Sequence, residues 1–222
     1  MSTLKPLRVL IGDDHRIVRE GLKQVLAEAE DIAVTAEATT GDEVLARVRD
    51  AADGEAFDAV LLDIALPGRD GLDVLQVLKR ERPGLPVLML STYPERQYAV
   101  RCIRLGAAGY LNKGADPDDM VAAVRKVAGG GLYVTPATAE ALAASVGGHA
   151  PRQGTEALSH REHQVFRLLS QGLSVSEIGA RLGLAANTVS TYRARVLEKT
   201  GARNDVELAL LAERLARGAA RP

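Results

Sequence analysis

Residues 58–71 read DAVLLDIALPGRDG, a short apolar run that stops at an aspartate and is followed by a Pro-Gly turn signal. The run at 59–62 contains Ala, Val and Leu without polar alternation, which is typical of a strand buried on both faces of a parallel sheet. Asp63 stands directly after this run. The segment therefore predicts a buried parallel strand with a carboxylate at its carboxyl end.

The same pattern of an apolar run followed by a polar group recurs three more times. The other runs are LRVLIG at 7–12 before Asp13 and Asp14, PVLML at 86–90 before Ser91 and Thr92, and GYLN at 109–112 before Lys113. Ligands of parallel sheets bind outside the carboxyl ends of the strands. We therefore expect three carboxylates, a hydroxyl and an ammonium to converge on one small polar pocket.

Residues 7–129 alternate strand-like and helix-like segments. Strands are predicted near 7–12, 32–36, 58–62, 86–90 and 109–111, and helices near 16–29, 42–52, 71–82, 95–106 and 117–129. Five such repeats predict an α/β fold with a flavodoxin-like, doubly wound, five-stranded parallel sheet. Right-handed crossovers leave few topologies, of which the strand order 2-1-3-4-5 is the commonest at this length.

The composition changes after residue 129. Residues 130–157 are rich in Gly, Ala and Pro, and they are interpreted as a linker with a short helix. Residues 158–222 show no strand pattern and contain helix-like segments near 160–171, 175–182, 186–200 and 204–217. Capping boxes at Ser159 with Glu162 and at Ser174 with Glu177 mark two helix starts. An all-α domain with a helix-turn-helix is expected.

The charge distribution differs between the two parts of the chain. The whole protein has 222 residues and a formal net charge of −1, but residues 150–222 carry 11 Lys and Arg against 7 Asp and Glu. This difference suggests nucleic acid as a partner of the second part and a cation as a partner of the first. The single cysteine, Cys102, excludes an intrachain disulfide. With no signal peptide or spanning stretch in the sequence, we expect a soluble, cytoplasmic protein without a membrane partner.

The predicted pocket has the residue types that phosphoryl chemistry needs. Mg²⁺ prefers oxygen ligands, and Asp13, Asp14 and Asp63 would supply them, while an aspartate is also able to accept a phosphoryl group. Lys113 is a candidate clamp for the phosphoryl charge, and Ser91 a candidate hydrogen-bond donor. Each residue also has a structural interpretation, for example helix capping or a turn, but their joint occurrence at successive strand ends favours the functional one.

The first part of the chain resembles a two-component receiver domain. The motifs that carry the resemblance are GDDH at 12–15, LLDIALPGRDG at 61–71, LMLST at 88–92 and GAAGYLNKG at 106–114. The resemblance implies a receiver over residues 1–129 in which Asp63 accepts a phosphoryl group from a cognate histidine kinase. It implies Mg²⁺ as the cofactor, bound by Asp13, Asp14, Asp63 and the Ala65 carbonyl. It further makes Ser91 and Tyr110 the switch residues, with Lys113 as the phosphate partner.

Two properties of receivers follow from this resemblance, and one position departs from it. Receivers assist only their own phosphorylation and slow hydrolysis, so no enzyme acting on external substrates is expected. Phosphorylation would bias a bistable surface by repacking Tyr110. Gly114 stands where many receivers have proline. This departure bears only on whether the peptide bond between Lys113 and residue 114 is cis.

The segment at 186–200 is the candidate recognition helix of the helix-turn-helix. Val189, Val196 and Leu197 form its apolar side, and this helix of such a motif enters the major groove of DNA. Arg193 and Arg195 suit guanine edges or phosphates, whereas Lys199 suits a phosphate. A solvated face of a helical interaction domain remains the other interpretation of this segment.

Residues 158–212 resemble the LuxR-type helix-turn-helix of NarL/FixJ-type response regulators. The resemblance rests on LSHRE at 158–162, QGLS at 171–174, IGARLGL at 178–184 and TVSTYRARVLEK at 188–199. The resemblance implies DNA contacts at Asn187, Thr188, Ser190, Thr191, Ala194, Arg195 and Lys199. Arg193, a candidate from its residue type, completes the set. Many members have a basic residue in place of Ser190, so the target sequence cannot be transferred from relatives.

The expected function is that of a phosphorylation-regulated transcription factor that binds promoter DNA as a homodimer, with the final helix as a candidate dimer surface. Two other classes remain open. One is an atypical regulator that acts without phosphorylation and has a degenerate or ligand-binding receiver. The other is a phosphatase or nucleotide-binding enzyme with a helical appendage, against which the absence of GxGxxG and GxxxxGK[ST] motifs argues.

Overall fold

The computed structural model describes residues 5–51, 56–92, 95–147, 154–158 and 160–219. Contacts between Cα atoms divide the chain into two compact units, Met1–Gly148 and His149–Pro222. Each unit has its own apolar core. No helix among the described residues combines the length and the hydropathy needed to cross a membrane.

The first unit is a parallel sheet with helices on both faces. Its described elements are β1 Leu7–Gly12, α1 Arg16–Ala27, β2 Ile32–Ala38, α2 Gly41–Asp50, β3 Ala59–Asp63, α3 Gly71–Glu81, β4 Val87–Ser91, α4 Glu95–Arg104, β5 Gly109–Asn112, α5 Pro117–Ala128 and α6 Pro136–Gly147. The strands pair in the order β2-β1-β3-β4-β5, and every pair is parallel. The predicted flavodoxin-like fold and its strand order are confirmed.

Alternate residues of each strand face opposite sides of the sheet, and both sides are covered. Val9 and Ile11 of β1 pack into the core formed with α1 and α5. Leu10, between them, packs into the core formed with α2, α3 and α4. All five residues of β3 and all five of β4 are buried. Burial on both faces is the reason that these strands are continuous apolar runs in the sequence.

The strand register brings the carboxyl ends of β1, β3, β4 and β5 to one edge of the sheet. Gly12 pairs with Leu62, which places Asp13 beside Asp63 at the ends of β1 and β3. Ser91 of β4 pairs with Asn112 of β5, so Lys113, the residue after Asn112, lies just past the end of β4. The Lys113 N–H also donates to the Ser91 carbonyl at 2.9 Å. Four separate segments of the sequence therefore meet at one point.

The segment after α5 also belongs to the first unit. Residues 130–147 were expected to form part of a linker with a short helix; the helix is α6, and it packs against α4 within the first unit. The Tyr133 N–H donates to the Ala108 carbonyl at 2.8 Å, and Tyr133 forms a parallel β-bridge with Gly109 beside β5. The chain therefore stays attached to the first unit beyond α5, through this β-bridge and then through α6.

The second unit is helical throughout its described residues. A 3₁₀ turn at Gly154–Ala157 precedes α7 His160–Ser170, α8 Val175–Leu182, α9 Ala186–Thr200 and α10 Asp205–Ala219. The capping box of Ser174 and Glu177 is present at the start of α8, whereas Ser159 lies outside the described residues. Gly183 ends α8 at φ +64°, a left-handed conformation that favours glycine. The turn from Gly183 to Ala185 joins α8 to α9 and forms the helix-turn-helix.

Candidate functional site: an acidic pocket and a recognition helix

Lys113 joins two buried carboxylates at the carboxyl edge of the sheet. Its Nζ atom lies 2.6 Å from Asp13 Oδ2 and 2.7 Å from Asp63 Oδ2. Asp13 is fully buried, Asp63 is 1% exposed and the Lys113 side chain is 7% exposed. Buried charges of this kind persist only when they are paired. The structure thus brings Asp13, Asp63 and Lys113, from three separate strand ends, into one pocket.

The backbone of Asp13 is fixed from both sides. Its N–H donates to the Ala38 carbonyl at 3.0 Å, and its carbonyl accepts a bond of 2.8 Å from Arg19 Nη1 of α1. The His15 N–H donates to Asp13 Oδ1 at 2.8 Å. Arg19 also donates to Glu37 of β2 at 3.0 Å. These bonds hold the acidic loop against the sheet before any cation binds.

Asp63 is held close to the start of α3. The Gly71 N–H donates to the Ile64 carbonyl at 2.9 Å, and a Cβ atom at residue 71 would lie 2.0 Å from the Asp63 carbonyl oxygen. Only glycine allows this approach. Burial raises the pKa of Asp63, whereas Lys113 and the Ala65 N–H lower it and the neighbouring Asp13 raises it further. The pocket thus holds a carboxylate whose charge needs cationic partners.

Asp14 lies at the mouth of the pocket, beside His15. The Asp14 side chain is 35% exposed, and its Oδ1 atom lies 2.7 Å from His15 Nδ1. His15 Nδ1 also lies 3.3 Å from Asp13 Oδ1. One potential ligand atom from each of Asp13, Asp14, His15 and Asp63 falls within 4.8 Å of the others. No role was expected for His15 from its sequence pattern, although its place directly after Asp13 and Asp14 in GDDH was a signal that it borders the pocket.

The donor set fits a hard divalent cation. Asp13 Oδ2 and Asp63 Oδ2 are buried, and within the described residues no hydrogen-bond donor other than the nearby Lys113 ammonium reaches them. Asp14 adds a carboxylate from the solvent side. Carboxylate oxygens with room for water are what Mg²⁺ prefers. Ala65, the expected carbonyl ligand, is partly buried two residues after Asp63.

Ser91 and Tyr110 form a buried hydroxyl pair beside the pocket. Each is 1% exposed, and their side chains are hydrogen-bonded to each other. Burial raises the pKa of Tyr110 well above its usual range, against the effect of the Ser91 bond, and the negative charges of Glu95 and Asp63 raise it further. Burial of the hydroxyl is thus the main reason that Tyr110 stays neutral.

The outward side of α9 carries most of the residues predicted to contact DNA. Val189 and Val196 are buried, so the opposite side of the helix faces outward. The exposed candidates are Asn187, Thr188, Ser190, Thr191, Ala194, Arg195 and Lys199. Asn187, Thr191 and Arg195 are spaced four residues apart and follow one line along the helix. The α9 N-cap, Ala185, has no side-chain hydrogen bond to the first turn.

Two of the three predicted basic contacts are paired within the second unit. Arg193 is half-buried, and its Nε atom donates to both carboxylate oxygens of Asp205, at 2.9 and 3.1 Å. Lys199 Nζ lies 2.6 Å from Oε2 of Glu162, a residue of α7 that is 2% exposed. Arg195 is exposed and has no such partner among the described residues. The acids Asp205 and Glu162 lie on other helices and gave no signal in the sequence of α9.

Comparison with known proteins identifies both units. Residues 9–125 match the response regulator receiver domain, and residues 156–212 match the bacterial regulatory proteins of the luxR family. The response regulator GacA of Pseudomonas aeruginosa is 36% identical over 211 residues, which cover 94% of this chain and 96% of GacA. The transcriptional regulatory protein UhpA of Salmonella typhimurium is 40% identical over 203 residues, 91% of this chain and 96% of UhpA.

A solved structure is similar across both units. RcsB of Salmonella enterica serovar Typhimurium, solved bound to the promoter P1flhDC in the presence of the phosphomimetic BeF₃⁻, is 25% identical with a TM-score of 0.65. The match covers 94% of this chain and 98% of RcsB. Receiver and helix-turn-helix therefore occur here in one chain as they do in these relatives, and the protein belongs to the DNA-binding response regulators of two-component systems.

Proposed function

We propose that Asp63 accepts a phosphoryl group from a histidine kinase and that Mg²⁺ is bound by Asp13, Asp14, Asp63 and the Ala65 carbonyl. The observation that carries this proposal is the Lys113 ammonium, which contacts Asp13 Oδ2 and Asp63 Oδ2 in one buried pocket. A buried cation at this point stabilises the two carboxylates now and a phosphoryl oxygen after transfer.

The transfer is a nucleophilic displacement at phosphorus. A carboxylate oxygen of Asp63 forms a bond to phosphorus while the P–N bond to the donor histidine breaks, and the departing imidazole takes up a proton. Bound Mg²⁺ would neutralise charge on the phosphoryl oxygens. Lys113 already lies within 2.7 Å of Asp63 Oδ2, so it meets the developing charge without a large movement. The product is an aspartyl phosphate.

Ser91 and Tyr110 report the presence of the phosphoryl group. The new group adds about two negative charges next to Asp63. The Ser91 hydroxyl, now bonded to Tyr110, would donate to a phosphoryl oxygen instead, and Tyr110 would repack. Hydrolysis of the aspartyl phosphate by the pocket itself resets the switch, and no activity on external substrates is proposed.

Labelling with acetyl phosphate and Mg²⁺ tests the phosphorylation site. We expect mass spectrometry to detect one phosphoryl group on the wild-type chain and none on Asp63→Asn or after chelation of Mg²⁺. Asp50→Asn is the matched control, because Asp50 is an exposed aspartate at the end of α2. Labelling that persists in Asp63→Asn contradicts the proposal. A wild type that takes up no phosphoryl group indicates an atypical regulator that acts without phosphorylation.

We also propose that α9 lies in the major groove of promoter DNA. The proposed contacts are Asn187, Thr188, Ser190, Thr191, Arg193, Ala194, Arg195 and Lys199. The exposed side of α9 supports this, and Ala185 at the N-cap supplies no side-chain acceptor to the first turn, where a helix N-terminus favours a phosphate. Because Arg193 and Lys199 are paired with acids, we propose that Arg195 makes the main contact with a base edge.

The protein would act as a homodimer on two half-sites, in the cytoplasm where promoter DNA is found. One unit this small offers a limited interface, and two copies double the contacts with DNA. RcsB, which is 25% identical, was solved on a promoter with a phosphomimetic, and this supports the proposal.

Selection from a random DNA library with the full-length phosphorylated chain tests DNA binding. We expect an enriched motif with two half-sites and an affinity that falls steeply with salt. The absence of any enriched sequence contradicts the proposed DNA contacts.

A further inference from the structure

One carboxylate of α4 holds the start of α6. Oε1 of Glu95, the first residue of α4, accepts hydrogen bonds from the hydroxyls of Thr135 and Thr138. Thr138 is 1% exposed, and its N–H donates to Thr135 Oγ1 at 3.2 Å. We call these three residues the Glu95 clamp. The clamp fastens the start of α6 to the start of α4.

The chain before α6 has a second attachment of a different kind. The Tyr133 N–H donates to the Ala108 carbonyl at 2.8 Å, and Tyr133 bridges to Gly109 of β5. This attachment uses backbone groups and does not depend on the charge of any side chain. The Glu95 clamp, by contrast, is held by a single partly buried carboxylate. Loss of that acceptor would free α6 while the chain stays fixed at Tyr133.

The clamp is close in sequence to one of the residues proposed to sense phosphorylation. Glu95 follows Ser91 by four residues, and Ser91 ends β4. The Tyr110 hydroxyl is bonded to Ser91 and lies within the electrostatic influence of both Glu95 and Asp63, since each carboxylate raises the Tyr110 pKa. The Tyr110 hydroxyl is therefore one group on which both the pocket and the clamp act electrostatically.

We propose that Glu95 is a positioning residue that couples the phosphorylation of Asp63 to the release of α6. Without a phosphoryl group, Glu95 holds Thr135 and Thr138 and α6 is packed on α4. With it, Ser91 turns to the phosphoryl oxygen, the added negative charge repels Glu95, and the clamp opens. This inference rests on the proposed phosphorylation of Asp63. Its consequence is that the first segment leading from the receiver to the DNA-binding unit has two states.

Hydrogen–deuterium exchange of the full chain measures the state of the clamp. In the wild type we expect the backbone amides at the start of α6 to exchange about tenfold faster after treatment with acetyl phosphate and Mg²⁺. In Glu95→Ala the same amides should exchange fast with and without phosphate. In Glu95→Gln the side chain keeps an acceptor but loses its charge, so α6 should stay protected in both states.

Two further variants show whether a change in α6 exchange comes from loss of the clamp or from a general loss of folding stability. Thr135→Val combined with Thr138→Val removes both donors, and it should reproduce the fast exchange of Glu95→Ala. Glu140→Ala removes an exposed glutamate on α6 itself and should behave as the wild type does. Amides of β3, distant in sequence from the clamp, should keep their protection in all variants, which confirms that the receiver is folded.

The outcomes distinguish this inference from the proposed function. If the chain takes up no phosphoryl group, the assignment of Asp63 fails first. If mass spectrometry shows phosphorylated Asp63 but α6 exchange is unchanged, the clamp is overturned and the phosphorylation site stands. A Glu95→Ala variant that still shows the full phosphorylation response would also overturn it, because a carboxylate that is not required does not position α6.

Discussion

The acidic pocket and the recognition helix use charge in opposite ways. In the pocket, Asp13, Asp63 and Lys113 are buried and contact one another at 2.6 and 2.7 Å. On α9, the candidate contacts are mostly exposed, and two of its cations are paired with acids from other helices. The pocket therefore pairs its charges inside one unit, whereas most of the candidate contacts of α9 face outward.

This difference affects how well each site can be recognised in the sequence. Burial forces particular residue types on the pocket, because an unpaired charge there is strongly destabilising. An exposed helix tolerates many side chains, so its chemistry varies with the DNA that it binds. The following variants test whether the buried pairs are indeed structural and the exposed arginine indeed functional.

The largest expected effect is the loss of the cation from the pocket. Lys113→Met leaves the Asp13 and Asp63 carboxylates facing each other, and we expect it to lower the free energy of unfolding by about 3 kcal/mol in the presence of EDTA. Urea unfolding at neutral pH measures this. Added Mg²⁺ should restore part of the stability, since it binds only the folded pocket. Lys126→Met, which removes an exposed lysine of α5, is the control, and an equal loss in both variants would contradict a special role for Lys113.

The next effect concerns a pair that links α7 and α9. Lys199→Ala removes a partner of Glu162, a buried carboxylate, and we expect a loss of about 2 kcal/mol in the stability of the second unit. Hydrogen exchange of α7 and α9 amides in the full chain reports it. Glu162→Gln in the Lys199→Ala background should recover part of the loss, because it removes the charge of a buried carboxylate that has lost its Lys199 partner. No recovery would mean that packing, not charge, is responsible.

The comparison of two arginines on α9 separates structure from DNA contact. Arg195→Ala should weaken binding to the selected DNA by about 1.5 kcal/mol, more than tenfold, with little change in stability. Arg193→Ala should mainly lower stability, by less than about 1 kcal/mol, because its pair with Asp205 is over a third exposed. Fluorescence anisotropy with the selected site measures affinity. If Arg193→Ala weakens DNA binding more than Arg195→Ala does, the proposal that Arg195 makes the main DNA contact is wrong.

The smallest effect comes from a surface carboxylate that supports the acidic loop. Hydrogen bonds from Lys23 and Arg19 lower the pKa of Glu37, although burial opposes them. A lowered pKa in the folded state stabilises the protein above the ordinary Glu value and loses that effect as the pH falls through the folded value. Glu37→Gln should therefore lower stability at pH 7 by about 0.5 kcal/mol, since the side chain is 35% exposed and screened by solvent.

The pH profile of Glu37→Gln gives the check. The difference from the wild type should stay constant from neutral pH to about 5 and shrink below the ordinary Glu value of 4.5. A difference that grows on acidification would contradict the assigned sign. A loss as large as that of Lys113→Met would remove the contrast between buried and exposed pairs.

Much of the fold was predictable because its strands are buried on both faces. The predicted strands at 7–12, 58–62 and 86–90 each lie within one residue of β1, β3 and β4. Glycines in turns and capping residues marked where the helices begin and end, as the Ser174–Glu177 capping box at the start of α8 illustrates. By contrast, the packing of α6 on α4 was not predicted, because its Ala-rich sequence has no clear apolar face and its attachment uses Glu95 from forty residues earlier.

In the pocket, too, the residues marked by local sequence could be predicted, whereas their distant partners could not. Asp13, Asp63, Ser91 and Lys113 were identified because each follows an apolar run. Arg19, which holds the Asp13 carbonyl, was missed because a lysine or arginine on a surface helix gives no sign of its partner. On α9 the burial pattern was predictable from helical periodicity, but the pairing of Arg193 with Asp205 was not.

The sequence by itself determined the order of strands and helices, the residues at the strand ends and the apolar side of the recognition helix. Each of these depends on the local spacing of apolar residues, because the apolar side chains are the ones that become buried on folding. Only the tertiary structure decided which charges meet: Lys113 with two carboxylates, Arg193 with Asp205, and Glu95 with two threonines of α6. Such pairs join residues far apart in the chain, and their contacts exist only once the packed cores bring those residues together.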